Sequence, residues 1–143
     1  MATKPPYNDL HLHVVALRQN NLLIEVDRPI NKDSEMHPLV RWQFIGGMKE
    51  NERKAFLFTN IHDGNGRKYK MPVLVGGLAA NRQIYSVGMG CSIDEMQDKW
   101  DEAIKNPITP KFVDAAPCHE MIEKGITLSQ EGNGLDALPI PVS

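Results

Sequence analysis

The sequence predicts an α+β fold: a small mixed sheet with hairpin-linked strands, flanked by about four helices and ending in an extended proline-rich connector. Three observations carry this expectation. Helix-period and strand-like segments alternate along the chain. The apolar runs "KAFLFTNI" and "KYKMPVLVGG" are joined by "HDGNGR", whose Asp-Gly and Asn-Gly pairs favour a tight reversal. The last residues, "LDALPIPVS", are apolar but stiffened by Pro139 and Pro141, which suits neither a helix nor a central strand.

Taken in order, Leu10, Val14 and Leu17 fall on one face of a helix running from about Asp9 to Asn20. Asn8 or Asp9 can cap its start, and Asn20-Asn21 can supply the left-handed residue that stops it. Leu22 to Val26 is short, apolar and strand-like, and Pro29 ends it. Pro38 suits the first turn of a second helix, which draws apolar surface from Leu39, Val40, Trp42, Phe44 and Ile45 and stops at Gly46-Gly47. The hairpin strands follow, then a short helix from Ala80 to Val87. Ser92-Ile-Asp-Glu95 has the spacing of a capping box, so a fourth helix is expected from Ser92 to about Asn106. Its stripe is Ile93, Met96, Trp100, Ala103 and Ile104, and Pro107 ends it. "PKFVDAAP" reads as a strand, and the remainder as irregular, with a Gly-Asn-Gly turn at 132–134. The expected organisation is one domain over 1–134 and a connector over 135–143.

Composition narrows the function. A net charge of −2 with no basic cluster argues against a nucleic-acid partner. No apolar run approaches the roughly 20 residues that span a bilayer, and "MATKPPYNDL" lacks the apolar core of a secretory signal. The two cysteines, Cys91 and Cys118, are too few for a disulfide framework. A cytoplasmic protein is the expectation.

No active site stands out from the residues alone. Cys118-His119-Glu120 places a thiol beside an imidazole, but neighbours in an extended segment point to opposite faces. The plainer reading is one buried cysteine and an exposed loop histidine. No spacing suits a zinc site. His11 and His13 do not share a helical face, and His13 reads as a core or boundary residue. Asp63, beside His62, is explained by bonding its own backbone in the turn. Gly76-Gly77 before Arg82 could place an anion at a helix N-terminus, yet it matches no phosphate-binding fingerprint, and ordinary strand-to-helix turning accounts for it.

The order of segments says more. "NNLLIEVDRPIN", "KAFLFTNI", "MPVLVGGLAANRQIYSVGMG", "PKFVDAAPCHEMI" and "LDALPIPVS" follow one another from about Asp9 to Ser143. This series resembles the N-terminal domain of the UbiD family of prenylated-flavin-dependent decarboxylases, with its "eLlrVdrpv", "aLLFenv", "pVlgnlfgsR", "aPcqEvv" and "dLtkLPiP" segments. The resemblance implies reversible, non-oxidative loss of CO₂ from an aromatic, phenolic or unsaturated acid. It implies prenylated FMN and a divalent metal, Mn or Mg, in the complete enzyme. Those groups and the catalytic residues belong to a split-barrel domain beyond the connector, so no catalytic, cofactor or metal residue maps onto this chain. Arg82 matches the "gsR" position, and Pro117 and Glu120 match "aPcqE", all as structural anchors. Leu138, Pro139, Ile140 and Pro141 form the connector, a candidate interface with a flavin-binding partner chain or domain in a hetero- or homo-oligomer.

Three functional readings stand at this point. The chain is an N-terminal module or small subunit of such a carboxy-lyase, with a structural and assembly role. Alternatively, it is a non-catalytic regulatory or scaffolding subunit. A third possibility is a small stand-alone enzyme using Cys118 or His119.

Overall fold

A computed structural model describes residues 9–141. The first eight residues and the last two lie outside it, including the candidate cap Asn8 and Val142 of the connector. The described residues form four α-helices and two small three-stranded sheets, as the α+β expectation requires.

Helix α1 spans Leu10–Gln19, and the Asp9 carboxylate accepts the Leu12 N–H at 2.8 Å. Asn21 takes φ 57°, the left-handed residue that turns the chain into β1. The buried face of α1 is His13, Ala16 and Leu17, whereas Leu10 is exposed. Of the expected stripe, Leu17 is buried and Val14 half-buried, so burial begins one turn later than the stripe implies.

Strands β1 (Leu23–Val26) and β2 (Ile30–Asn31) lead into α2 (Met36–Ile45). Then come β3 (Ala55–Phe58), β4 (Ile61–His62), β5 (Lys68–Tyr69) and β6 (Val73–Val75). The sheet orders are β1-β3-β6 and β2-β4-β5, each with one parallel and one antiparallel pair. The two sheets are successive lengths of one ribbon. Val26 faces Phe58 and Ile30 faces Ile61, so residues 27–29 oppose only 59–60. Phe58 faces Val73 and Ile61 faces Tyr69, so 70–72 oppose the same two. Each outer strand thus carries one extra residue at the same step, and the extra lengths contain Pro29 and Pro72. Prolines that cannot donate to a ladder sit where the ladder is already broken.

The central strand is buried on both faces, which explains its unbroken apolar run. Phe56 and Phe58 stack with centroids 5.8 Å apart and pack with Ile30, Met36, Val40 and Ile61. On the other face, Ala55 joins Leu17, Leu22, Ala80 and Ile84. Ala80 and Ile84 belong to the turn and helix after β6. Gly76 takes φ 71° there, a conformation open to glycine, and its carbonyl accepts the Ala80 N–H. Helix α3 spans Arg82–Met89 and stops at left-handed Gly90.

Helix α4 spans Met96–Lys105, four residues shorter at its start than the capping box predicts. Glu95 accepts the Ser92 N–H, but the Ser92 hydroxyl donates to that same carboxylate instead of capping the helix. The reciprocal bond is lost, so Ile93–Glu95 form a turn. "PKFVDAAP" is not a strand. It pairs with no strand among the described residues, Pro110 and Pro117 lack donors, and Phe112 and Val113 are exposed. The remaining chain makes 3-10 turns at Pro117–His119, Gly125–Ser129 and Gly134–Ala137, with Gly132 and Gly134 at positive φ.

Candidate functional site: a strand-entry junction, an open apolar strip and a charged hairpin end

Residues 50–54, entering β3, tie together the surrounding helices. The buried Gln43 of α2 donates from Nε2 to the Lys54 carbonyl (3.0 Å) and accepts the Lys54 N–H (2.9 Å). The buried Asn81 caps α3 by accepting the Ile84 N–H at 2.7 Å, and its amide donates to the Arg53 carbonyl. Lys54 Nζ reaches the Asn21 side chain behind α1 at 3.0 Å. The Glu50 carboxylate accepts the Arg82 N–H. The anion at this helix N-terminus is therefore the chain's own Glu50, and Arg82 carries an exposed side chain. His13, on α1, is buried and donates from Nε2 to the Gly77 carbonyl at 2.6 Å, as suits a core histidine.

Above this junction lies an apolar strip. The Arg53 guanidinium sits 5.0 Å over the Phe44 ring. Phe44, Tyr85 and Met96 line one shallow open groove, and Tyr85, Met96 and Trp100 line the next, so the strip crosses α2, α3 and α4. On α2, Trp42 (58% exposed) and Ile45 (69%) border a third groove. Helix α4 buries none of its residues. Of its predicted stripe Met96 is half-buried, while Ile93, Trp100, Ala103 and Ile104 are exposed, as are three of the five apolar residues expected to pack α2. Amphipathicity marks these helices correctly, but it cannot tell which partner a face meets.

The far end of the ribbon is charged. Asp63 accepts the Asn65 and Arg67 N–H groups, both at 2.9 Å, closing the turn as expected. Tyr69 donates its hydroxyl to Asp63 at 3.2 Å, and its ring is flanked by Lys32 (5.9 Å) and Arg67 (5.2 Å). Lys32 pairs with Asp33, whose other oxygen accepts the Gly64 N–H. Arg67 pairs with Asp136 at 2.5 Å, far along the chain. The Lys32 ammonium, then the Gly64 N–H, hold Asp33 below the ordinary carboxylate range. The Gly132 N–H and Arg67 do the same for Asp136. Burial pushes Asp63 up, but the Arg67 and Asn65 N–H groups outweigh it and leave Asp63 low. Depressed carboxyls bind protons more readily in the unfolded chain. Their contribution is complete above about pH 5 and disappears as pH falls through their folded values. Urea midpoints are expected to fall as the buffer goes from about pH 5 towards pH 2. An unchanged midpoint across that range would refute the assignment.

The remaining candidates are exposed. Cys118 is exposed and Cys91 half-buried, so the expected buried cysteine is not found. "PCH" forms a surface turn because nothing packs over it. Pro117, His119 and Glu120 are exposed too, and the Glu120 N–H donates to the Pro117 carbonyl. At the connector, Leu138 is half-buried, Pro139 buried, and Ile140 and Pro141 exposed. Only Pro139 lies against the protein, and the chain is open again from Ile140. Among the described residues no group of three or more His, Cys, Asp or Glu could hold a metal ion. The open grooves do not fit an enclosed flavin either. No helix among the described residues is long and apolar enough to cross a membrane. Sequence reasoning missed Gln43, Glu50 and the Arg67–Asp136 pair. Only Gln43 carried a signal, as a polar residue inside an apolar helical stretch.

Fold and site together define an α+β module with open apolar surfaces. No family model and no curated protein matches the chain. Its fold is that found within UbiD-class enzymes, as the order of its segments implies. The chain is similar to an evolved dimeric form of HmfF from Pelotomaculum thermopropionicum in complex with prFMN, with TM-score 0.71 and 24% identity over 95% of this chain. HmfF from the same organism in complex with FMN gives 0.66 and 26% over 93%. The vanillic acid decarboxylase of Sedimentibacter hydroxybenzoicus, in open form, gives 0.63 and 27% over 87%. The chain spans about a quarter of these relatives' length: 28%, 26% and 26% of each in turn.

Proposed function

We propose that this chain is the N-terminal module or small subunit of a UbiD-like carboxy-lyase, with a structural and assembly role. One observation carries the reading: nearly the whole chain superposes on about a quarter of UbiD-class enzymes, two of them complexed with prFMN or FMN. The outward apolar strip fits it, since a module of a larger body leaves such surfaces for the rest to cover. The reaction is reversible, non-oxidative decarboxylation of an aromatic, phenolic or unsaturated acid. Prenylated FMN and a divalent metal, Mn or Mg, belong to the flavin-binding domain or partner chain, where the flavin supplies the electron sink. Arg82, Pro117 and Glu120 are structural anchors, and Leu138, Pro139, Ile140 and Pro141 lead towards that partner. The free thiols suit a reducing, cytoplasmic setting.

The test is native mass spectrometry and visible absorbance of the polypeptide purified from its source cell. The expected result is this sequence in a longer chain, or in complex with a second one, carrying bound flavin. A monomer of this chain alone, without flavin or flavin-bearing companion, would overturn the proposal.

A further inference from the structure

The chain beyond α4 meets the sheet through few contacts. From Pro107 to Ala137 no residue is buried, and Ile108, Phe112, Met121, Ile126 and Leu135 are all more than three-quarters exposed. The segment has its own local closure: the Gly134 N–H donates to Glu123 at 2.6 Å, and the Gly132 N–H to Asp136 Oδ2 at 2.8 Å. That same Oδ2 receives Arg67 Nη1 at 2.5 Å. Gly132 lies so close that a side-chain carbon there would stand 3.4 Å from the other Arg67 guanidinium nitrogen. Arg67 is held in turn over Tyr69, with Lys32 across the same ring. One carboxylate therefore closes the tail's turn and seats it on a cationic, aromatic socket at the hairpin end. Pro139 is buried three residues later.

We infer that residues 123–139 are a detachable strap, and that Asp136 in the Arg67–Tyr69–Lys32 socket is the clamp fixing where the connector leaves the sheet. Arg67 and Asp136 are positioning residues. The strap itself is a property of this chain. Its consequence, that the clamp sets the direction of the flavin-binding domain, rests on the proposed function.

The geometry explains why the clamp opens. Both partners remain partly exposed, with 31% of the Arg67 and 54% of the Asp136 side chain accessible. Exposed pairs are weak and screened by salt. The core under the central strand does not depend on them, because neither residue joins an apolar cluster.

Hydrogen exchange on the full chain tests this. Arg67→Gln and Asp136→Asn are each expected to speed exchange at Gly132, Gly134, Asp136 and Leu138 roughly fivefold, with amides 55–58 unchanged. The double variant should match either single one, because both remove the same contact. Arg67→Lys should restore most of the protection. Salt at about 1 M should loosen the wild-type strap and leave the double variant unaffected. Unchanged exchange, additive single effects, or a loss of protection reaching 55–58 would each overturn the clamp. The readout needs no flavin-bearing companion, so it succeeds or fails independently of the carboxy-lyase reading.

Discussion

Replacing Phe58 with alanine is expected to destabilise the fold by about 3–5 kcal/mol, the largest effect of any single truncation in this chain. Phe58 is fully buried and ends the central strand β3. It faces Val26 on one side and Val73 on the other, at the last paired step before both outer strands gain their extra residue. The neighbouring ladder cannot close over a void there, since the pairing already breaks. The stacked Phe56 would lose its partner, and Ile30, Met36 and Ile61 would line the cavity. Domains of this size are stable by only about 5–15 kcal/mol, so the variant should be largely unfolded in modest denaturant. Phe58→Leu keeps most of the volume and should cost far less, about 1–2 kcal/mol. Urea denaturation of the two variants measures the contrast. Equal midpoints would show that residue 58 does not hold the two halves of the ribbon together.

Local signals explain what the sequence makes legible here. Asn20-Asn21, the glycines of the hairpin turn and Pro107 act through their own backbone, so their consequences need no knowledge of the rest of the chain. The central strand is legible because burial on both faces leaves an unbroken apolar run. The failures share a different cause. "PKFVDAAP" has apolar residues suited to a strand, but a strand exists only where another edge accepts it. The capping box fails because a serine hydroxyl can donate as readily as accept, and here it donates its hydrogen bond to the Glu95 carboxylate. Arg67 and Asp136 meet across 69 positions, and Glu50 reaches α3 across 32, distances no periodicity encodes.

The outward residues carry the same lesson into function. Trp42, Phe44, Ile45, Trp100 and Ile104 satisfy every pattern rule for helix packing, yet the described residues leave them open. The chain's likeness to a quarter of larger enzymes and the exposure of these residues are two independent observations. A fold that closes its own core around Phe56, Phe58 and Leu17 while leaving a second apolar surface open suits the proposal that a larger body covers that surface.

Gln43→Leu tests how the first core supports that second surface. Leucine fills much of the same volume but makes neither hydrogen bond to Lys54. The Lys54 N–H and carbonyl, both part-buried, would lose their partner at about 1–3 kcal/mol each, for a total of about 2–6 kcal/mol. The expected thermal midpoint falls by roughly 10 °C. Because Gln43 lies between Trp42 and Phe44, the helix it anchors is the one that presents the apolar face. Under the proposed function, the variant should therefore lose affinity for a flavin-bearing companion even at temperatures where it stays folded. Trp42→Ser should differ: little change in midpoint, since Trp42 is mostly exposed, but a comparable loss of association. Circular dichroism melts read with titration against the companion chain separate the two. A destabilised Gln43→Leu that binds normally, or a Trp42→Ser that binds normally, would remove α2 from the docking surface.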